Sequence, residues 1–542
     1  MRYLIAVLMA LAVTPAWSGA TEGKKLIEYG WDVPSTEYVR RNVAEMEKIP
    51  FDGVVIRVSP KGQDFGSTYS FGWEVFSPTR LNWDDMRHAV DDLRAAEFGR
   101  FKHNFIQVIV APGKIDWFDA QWSAVAHNAG LLTRVAKQSG CKGIMFDPEM
   151  YIEQLFDYNK SAYADREAHT FEEYRAKVRE RGREFMRAIN AEFPRPVILT
   201  LYGYSLPWVE IKIWSRKPLR KAAYGLLPAF YDGMLEAATP GTVFVDGFEF
   251  SYPYKRVEEF VNARNLIRDA RAICDVPAEY DEHVRVGFAT WADYNSGSIG
   301  WHPDDFTQNF YMPEGLRASV NYALERTDKY VWVYSERLRW WNGPPPPKEY
   351  VEALALARKG PGPGEKNPMR PETMIPRAAL QPGYSDEATF AEFRKTMTEI
   401  FDFPKEGWRF ARDEKDTGES QGWHEPGFDD TAWRAISIGK FWEEQGEIYD
   451  GRAWYRIKFT PPAVEAGKHV FLAVGAADES ARVWLNGRTI GYHDIGVPGW
   501  LTPFTMDITS ALKPGAENVL AIQVRDTGGG GGLWKSVKLM VK

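Results

Sequence analysis

Two acids, Asp147 and Glu149, close the run Gly143-Ile144-Met145-Phe146-Asp147-Pro148-Glu149. Residues two apart in an extended chain share a face, so this run delivers two carboxyls to one spot. Like charges held close raise the pKa of one of them, which suits a carboxylic acid that must give up a proton near neutral pH. Other β-rich runs also end in acids: Glu249 follows Asp246-Gly247-Phe248, Glu336 follows Tyr334-Ser335, Asp32 follows Trp31, and Asp293 lies just after Trp291. Cleavage of a glycosidic bond needs such groups in pairs. One carboxylic acid protonates the leaving oxygen, and a second carboxylate attacks the anomeric carbon or activates water. This reading makes Glu149 the acid and Glu336 its first-choice partner, with Glu249 second. Asp147 tunes Glu149 or orients substrate. Trp31, Asp32, Tyr204, Tyr252, Trp291 and Trp340 are the substrate-binding candidates, the aromatics offering flat apolar faces to sugar rings.

Each assignment has a structural alternative. Asp147 and Glu149 can pair with arginines at a barrel mouth, Glu336 with Arg337 or Arg339, and Glu249 with Arg57 or Lys255. Asp32 is the kind of residue that caps a helix.

Stepping along the chain, short β-rich runs at 25–32, 53–58, 105–110, 143–149, 197–202, 243–250, 284–291 and 330–336 alternate with amphipathic stretches. Ser35 or Thr36 can cap a helix whose Val39, Val43 and Met46 share a face. Met86, Val90 and Leu93 repeat that spacing, and 171–193 and 256–273 also read as helices. Eight strands alternating with helices predict a (β/α)8 TIM barrel, whose active site sits at the C-terminal strand ends. No GxGxxG or GxxxxGK[ST] loop follows a strand, so a nucleotide-binding open sheet lacks its usual signature. The run Lys359-Gly360-Pro361-Gly362-Pro363-Gly364 then breaks regular structure. Beyond it the pattern becomes short strands and Gly, Asp and Asn turns, an all-β unit. The expected organisation is a signal peptide at 1–20, a catalytic barrel at 21–358, a Pro/Gly-rich connector at 359–400 and a β-sandwich at 401–542.

The 542 residues include 21 Trp, 25 Tyr and 31 Phe, a surplus that fits a protein stacking sugar faces. Lys plus Arg is 67 and Asp plus Glu 74, a net charge of -7 without a basic block, so a nucleic-acid partner is not expected. The nine His are scattered, with no HExxH and no Cys/His cluster, so neither a metal nor an organic cofactor is expected. Cys141 and Cys274 read as buried free thiols. Met1-Arg2-Tyr3 followed by an apolar run and Ser18-Gly19-Ala20 reads as a Sec-type leader, implying an exported protein, periplasmic or extracellular. No second long apolar run follows, so no membrane span is expected.

Two resemblances extend this reading. An acid ending the fourth strand of a Trp-rich barrel resembles the glycoside hydrolase barrels, with Glu149 matching the acid/base of the clan that carries glutamates on strands four and seven. Pro148 stands where that clan has Asn, and the seventh strand offers no Glu. Asp147-x-Glu149 is also similar to the fourth-strand DxE of chitinase-like barrels, in which the substrate's acetamide can serve as nucleophile. The C-terminal resemblance is tighter. The segments Gly422-Trp423-His424-Glu425-Pro426-Gly427-Phe428-Asp429-Asp430-Thr431-Ala432-Trp433, Tyr449-Asp450-Gly451-Arg452-Ala453-Trp454-Tyr455-Arg456 and Val483-Trp484-Leu485-Asn486-Gly487 resemble the galactose-binding-like jelly-roll domain of family 2 β-galactosidases and β-glucuronidases. Together the resemblances imply a glycoside hydrolase acting on a poly- or oligosaccharide. A noncatalytic glycan-binding barrel and a polysaccharide lyase are the alternatives.

Overall fold

Short apolar runs buried on both faces become strands of a parallel barrel, because the helix after each run covers its outer side. The computed structural model describes residues 21–63, 69–159, 168–211, 218–295, 300–360, 386–465, 467–494, 497–526 and 528–542. The leader at 1–20 and much of the connector, 361–385, lie outside the described residues.

The barrel strands are β1 (Lys25–Glu28), β2 (Gly53–Ile56), β3 (Phe105–Ile109), β4 (Gly143–Asp147), β5 (Val197–Thr200), β6 (Val243–Asp246), β7 (Val284–Val286), β8 (Phe288–Trp291) and β9 (Tyr330–Tyr334). They pair in parallel in the order β7-β6-β5-β4-β3-β2-β1-β9-β8. Eight strands become nine segments because the run at 284–291 divides at Gly287, with β7 on β6 and β8 on β9. The Gly287 N–H donates to the Asp246 carbonyl at 2.8 Å, which closes the ring at that seam. A Cβ there would lie 2.6 Å from Val245 Cγ1, so the close approach requires glycine.

The outer helices start where their caps place them. Ser35 Oγ accepts the Tyr38 N–H at 3.1 Å and opens the helix Thr36–Met46, which buries Val39, Val43 and Met46. Thr170 and Glu173 form a reciprocal capping box for the helix Phe171–Glu192. The stretch 256–273 becomes the helix Val257–Asp269 followed by the 3-10 turn Ala270–Ile273.

The all-β unit has two antiparallel sheets. One orders β10 (Thr398–Asp402), β19 (Val537–Val541), β14 (Val470–Val474) and β17 (Phe504–Asp507). The other orders β12 (Arg434–Ile436), β11 (Trp408–Arg412), β13 (Gly451–Phe459), β18 (Asn518–Asp526), β15 (Ser480–Leu485) and β16 (Arg488–Asp494). The pairing therefore starts at Thr398, ahead of residue 401, and a helix, Asp386–Arg394, precedes it with Phe390 packed against Ala473 and Met540. Asn486 (φ 55°) and Gly487 (φ 81°) turn β15 into β16, the left-handed pair that a tight hairpin selects.

Alternation along β13 and β18 sends Tyr455, Ile457, Ile522 and Val524 into the core between the sheets. Arg452, Trp454, Gln523 and Arg525 face the other way. That outer face is covered too. Trp454 and Trp484 stack at 4.6 Å beneath Trp423, and Arg452 and Arg525 reach the barrel at Glu259. Cys141 and Cys274 are free and buried, as the sequence implies.

Candidate active site

The C-terminal ends of the barrel strands surround a cavity of about 620 Å³, within the range that holds small ligands. β4 and the residues after it supply Asp147, Glu149 and Tyr151; the turn after β6 supplies Glu249 and Tyr252; β9 supplies Tyr334. Tyr29, Trp31, Arg57, Trp73 and Gln107 complete much of the wall.

Asp147 ends β4 and is only 1% exposed. Its Oδ1 accepts the Glu149 N–H at 2.9 Å, which fixes the bend that aims Glu149 into the cavity. The Tyr151 hydroxyl sits 2.9 Å from Asp147 Oδ2 and also reaches Glu149 Oε2. A phenol has one proton to give. With two carboxyls on one hydroxyl oxygen, one accepts and the other must carry a proton and donate. The electrostatics agree: burial pushes Asp147 well above the ordinary carboxylate range, and the charge of Glu149 pushes it further. Burial raises Glu149 as well, with Tyr151 opposing.

Glu249 joins them from another strand. Burial raises its carboxyl well above the ordinary range, followed by the charges of Glu149 and Asp147. Its Oε2 accepts no hydrogen bond from the described protein groups. The backbone that delivers it is strained: Phe248 adopts φ 43°, a left-handed conformation rare for a bulky residue and common at functional sites. Gly247 allows the turn, since a Cβ there would lie 2.1 Å from the Thr200 carbonyl oxygen.

Aromatics form the rim. Trp31 is 63% exposed, and its indole N–H donates to the Tyr334 hydroxyl at 2.6 Å. Tyr334 in turn donates to Glu336 Oε1 at 3.1 Å. Tyr252 stacks on Tyr334 at 5.1 Å, and Trp73 lies 5.1 Å from Tyr151.

The structure thus brings Asp147, Glu149, Glu249, Trp31 and Tyr252 to one cavity and separates the other candidates from its wall. Glu336 is not among the residues lining the cavity and accepts the hydroxyl of Tyr334, where the sequence makes it the first-choice partner of Glu149. Trp291 packs behind Tyr252 and Tyr334, its indole N–H held by Asp293 at 2.9 Å. Asp293 also accepts the N–H groups of Glu336, Arg337 and Leu338. Asp32 is fully buried and accepts the N–H groups of Trp340 and Trp341 at 2.7 and 2.8 Å, so it pins the chain after β9. Trp340 is 4% exposed and packs edge-on against Phe51. Tyr204 is 3% exposed, and its hydroxyl donates to Asp232 at 2.9 Å.

Several wall residues carry no assignment in the sequence reading. Gln107 donates to the Tyr29 hydroxyl at 3.2 Å. Its signal was a polar residue in the apolar run Phe105-Ile106-Gln107-Val108, on the face shared with Phe105. Tyr151 continues the two-residue spacing of Asp147 and Glu149. Trp73 lies in the 3-10 turn Phe71–Glu74 and has no comparable pattern. Away from the cavity, Asp478, Glu479 and Asp526 of the all-β unit bring ligand atoms within 4.8 Å of one another, the one such group among the described residues. Burial pushes Asp526 up to about 7.

Comparison with known proteins speaks to the C-terminal unit. Residues 417–530 match the β-galactosidase second all-beta domain. The chain is also similar to a β-glucuronidase of Paenibacillus borealis, 30% identical over 122 residues, which is 22% of this chain and 20% of that protein. A β-galactosidase of Bacteroides ovatus, BoGH2A, is 27% identical over 113 residues, 18% of this chain and 13% of that protein. An α-L-rhamnosidase of Streptomyces avermitilis is 30% identical over 122 residues, 19% of this chain and 11% of that protein. The chain spans a fifth or less of the length of these relatives. Among solved structures, Ruminococcus gnavus β-glucuronidase aligns with 26% of this chain and 28% of that one, at 21% identity and a TM-score of 0.23.

Proposed function

We propose that this chain is an exported glycoside hydrolase that cleaves O-glycosidic bonds of a poly- or oligosaccharide. The observation that carries the reading is the convergence of Asp147, Glu149 and Glu249, each with a raised pKa, on one aromatic-walled cavity at the barrel mouth. Perturbed titratable groups in a cleft mark functional sites. The glycosidase names of the relatives support the same class, while their similarity covers only part of this chain.

Glu149 acts as the acid. Its proton passes to the glycosidic oxygen as the bond to the anomeric carbon breaks, and the leaving group departs as an alcohol. Glu249 is the partner carboxylate, in place of Glu336. It attacks the anomeric carbon or takes a proton from the attacking water, and the anomeric configuration of the product tells these apart. Positive charge developing at the sugar favours the ionised form of Glu249, which burial and the neighbouring acids disfavour. Asp147 and Tyr151 hold the proton of Glu149 in place between turnovers.

The test is a panel of 4-nitrophenyl β-D-glucuronide, β-D-galactoside and α-L-rhamnoside plus polysaccharides, run on the full chain and on Glu149→Gln. Turnover by the wild type and its loss in the variant are expected. Binding of an oligosaccharide without product, or an unsaturated product absorbing in the ultraviolet, overturns hydrolysis. Export is tested by N-terminal sequencing of the mature protein, expected to begin at Thr21.

A further inference from the structure

We infer that the all-β unit positions Glu249: Arg452 and Arg525 clamp Glu259, whose carboxylate caps the end of the turn that carries Glu249 into the cavity. This rests on the reading of Glu249 as a working carboxylate. It adds a second part to the site, drawn from a unit that lines none of the cavity described above.

The chain from β6 to the next helix is short and strained. After Phe248 in its left-handed conformation comes the 3-10 turn Glu249–Ser251. The Tyr254 N–H then returns to the Ser251 carbonyl at 3.1 Å. The N–H groups of Lys255 and Arg256 both donate to Glu259 Oε2, at 2.7 and 2.9 Å. The other oxygen of that carboxylate accepts from the all-β unit: Arg452 Nη2 and Arg525 Nη1 each donate to Oε1 at 2.7 Å. One buried carboxylate therefore joins the end of the turn to strands β13 and β18.

The surrounding contacts run the same way. Arg525 lies over the Tyr254 ring at 5.0 Å, and Arg256 pairs with Asp416 at 3.2 Å. Lys255 Nζ reaches the Lys415 carbonyl at 3.4 Å. A strained backbone persists only where its surroundings over-determine it. Here the barrel holds one side, through Ser251 Oγ on the Ala289 carbonyl and the Tyr311 hydroxyl on the carbonyls of Tyr252 and Tyr254. The all-β unit holds the other. Small displacements of a reacting carboxyl are costly in rate, so loss of either hold reaches kcat.

The experiment uses the full chain with Arg452→Gln and Arg525→Gln, and with the lysine versions of both, which keep the charge should a glutamine variant fail to fold. On whichever 4-nitrophenyl glycoside the wild type hydrolyses, each glutamine variant is expected to lose about tenfold in kcat with KM within about twofold. The lysine variants should recover part of it. In a Glu249→Gln background the same arginine changes should cost nothing more, because the residue they position is gone. Hydrogen exchange should quicken over 247–259 and stay unchanged over 143–151. An unchanged kcat, an equal loss in the Glu249→Gln background, or unaltered exchange over 247–259 overturns the inference, and the barrel-side contacts then suffice. A wild-type kcat in Glu249→Gln itself sinks the assignment of Glu249, while hydrogen exchange still decides whether the clamp holds the turn.

Discussion

The barrel mouth and the interface between the two units each bury carboxyls, with opposite electrostatic results. At the mouth, burial and mutual repulsion drive Asp147, Glu149 and Glu249 upward. At the interface, burial also acts to raise Glu259, and Arg525, Arg452 and Arg256 overcome it and hold Glu259 below the ordinary range. Asp416 is likewise held below the ordinary range, by Arg256 and Arg452 against the same opposing burial. Depth of burial therefore does not by itself set the direction of the shift. What sets the direction at these two places is whether a cation stands against the carboxylate, because a buried charge must be paired or must keep its proton.

The largest expected effect breaks the comparison at the mouth. Glu149→Gln should lose about 100-fold or more in kcat on a substrate with an unactivated leaving group, with the fold intact. A full retention of rate would put Glu149 on the structural side. Next comes the interface. Glu259→Gln leaves two buried arginines without their shared carboxylate and should destabilise the protein by about 3–5 kcal/mol in denaturant unfolding near pH 7. A neutral result would mean that the pairing is ornamental.

A subtler contrast lies in the sign of the pH dependence. Glu259 is depressed when folded, so its contribution is present above the unfolded value of about 4.3 and disappears as pH falls through its folded value. Glu249 is raised when folded, so it weakens the fold as pH rises from about 4.3 through its folded value. Glu249→Gln should therefore raise the melting temperature by roughly 1–3 °C at pH 8 and leave it unchanged at pH 4. The same substitution at Glu259 should lower it, most at high pH. Equal signs at the two sites would collapse the distinction. Asp147→Asn removes a charge that raises Glu249, so the acidic limb of the pH–rate profile should move to lower pH. The smallest effect is expected at the rim, where Trp31→Ala should raise KM by about three- to tenfold with little change in kcat.

Much of this was legible in the sequence, for physical reasons that can be named. Asp147 ends β4, where the strand-end rule expects an acid, and Glu149 lies beyond the strand but close to it in sequence, held there through its N–H on Asp147 Oδ1. The choice between Glu249 and Glu336 was not legible, because both lie beyond the regular part of their strands. There a left-handed Phe248 turns one acid inward, and a tyrosine hydroxyl holds the other outside. Trp340 and Tyr204 look like sugar platforms in the sequence because an aromatic after a strand carries the same letter whether it caps a ligand or packs on Phe51 or Asp232. Asp32 and Asp293 are spent on backbone N–H groups of the chain after β9, a long-range use that leaves no local pattern. The division of 284–291 at Gly287 was marked by the glycine itself, though only closure of the ring explains it.

The covered outer face of the six-stranded sheet bears on how this architecture can be rearranged. A unit whose reverse side carries Arg452 and Arg525 into a neighbour's carboxylate, and whose stacked tryptophans are roofed by its own 413–433 segment, is not an interchangeable module. Transplanted onto another barrel, it would bring Arg525, and Arg452 beside its own Asp416 at 3.5 Å, to a face where this barrel supplies a glutamate at the start of a helix. Compatibility between such halves thus turns on Glu259 together with the Arg256–Asp416 pair and the Tyr254 ring under Arg525, and recombination of the two units favours barrels that possess their equivalents.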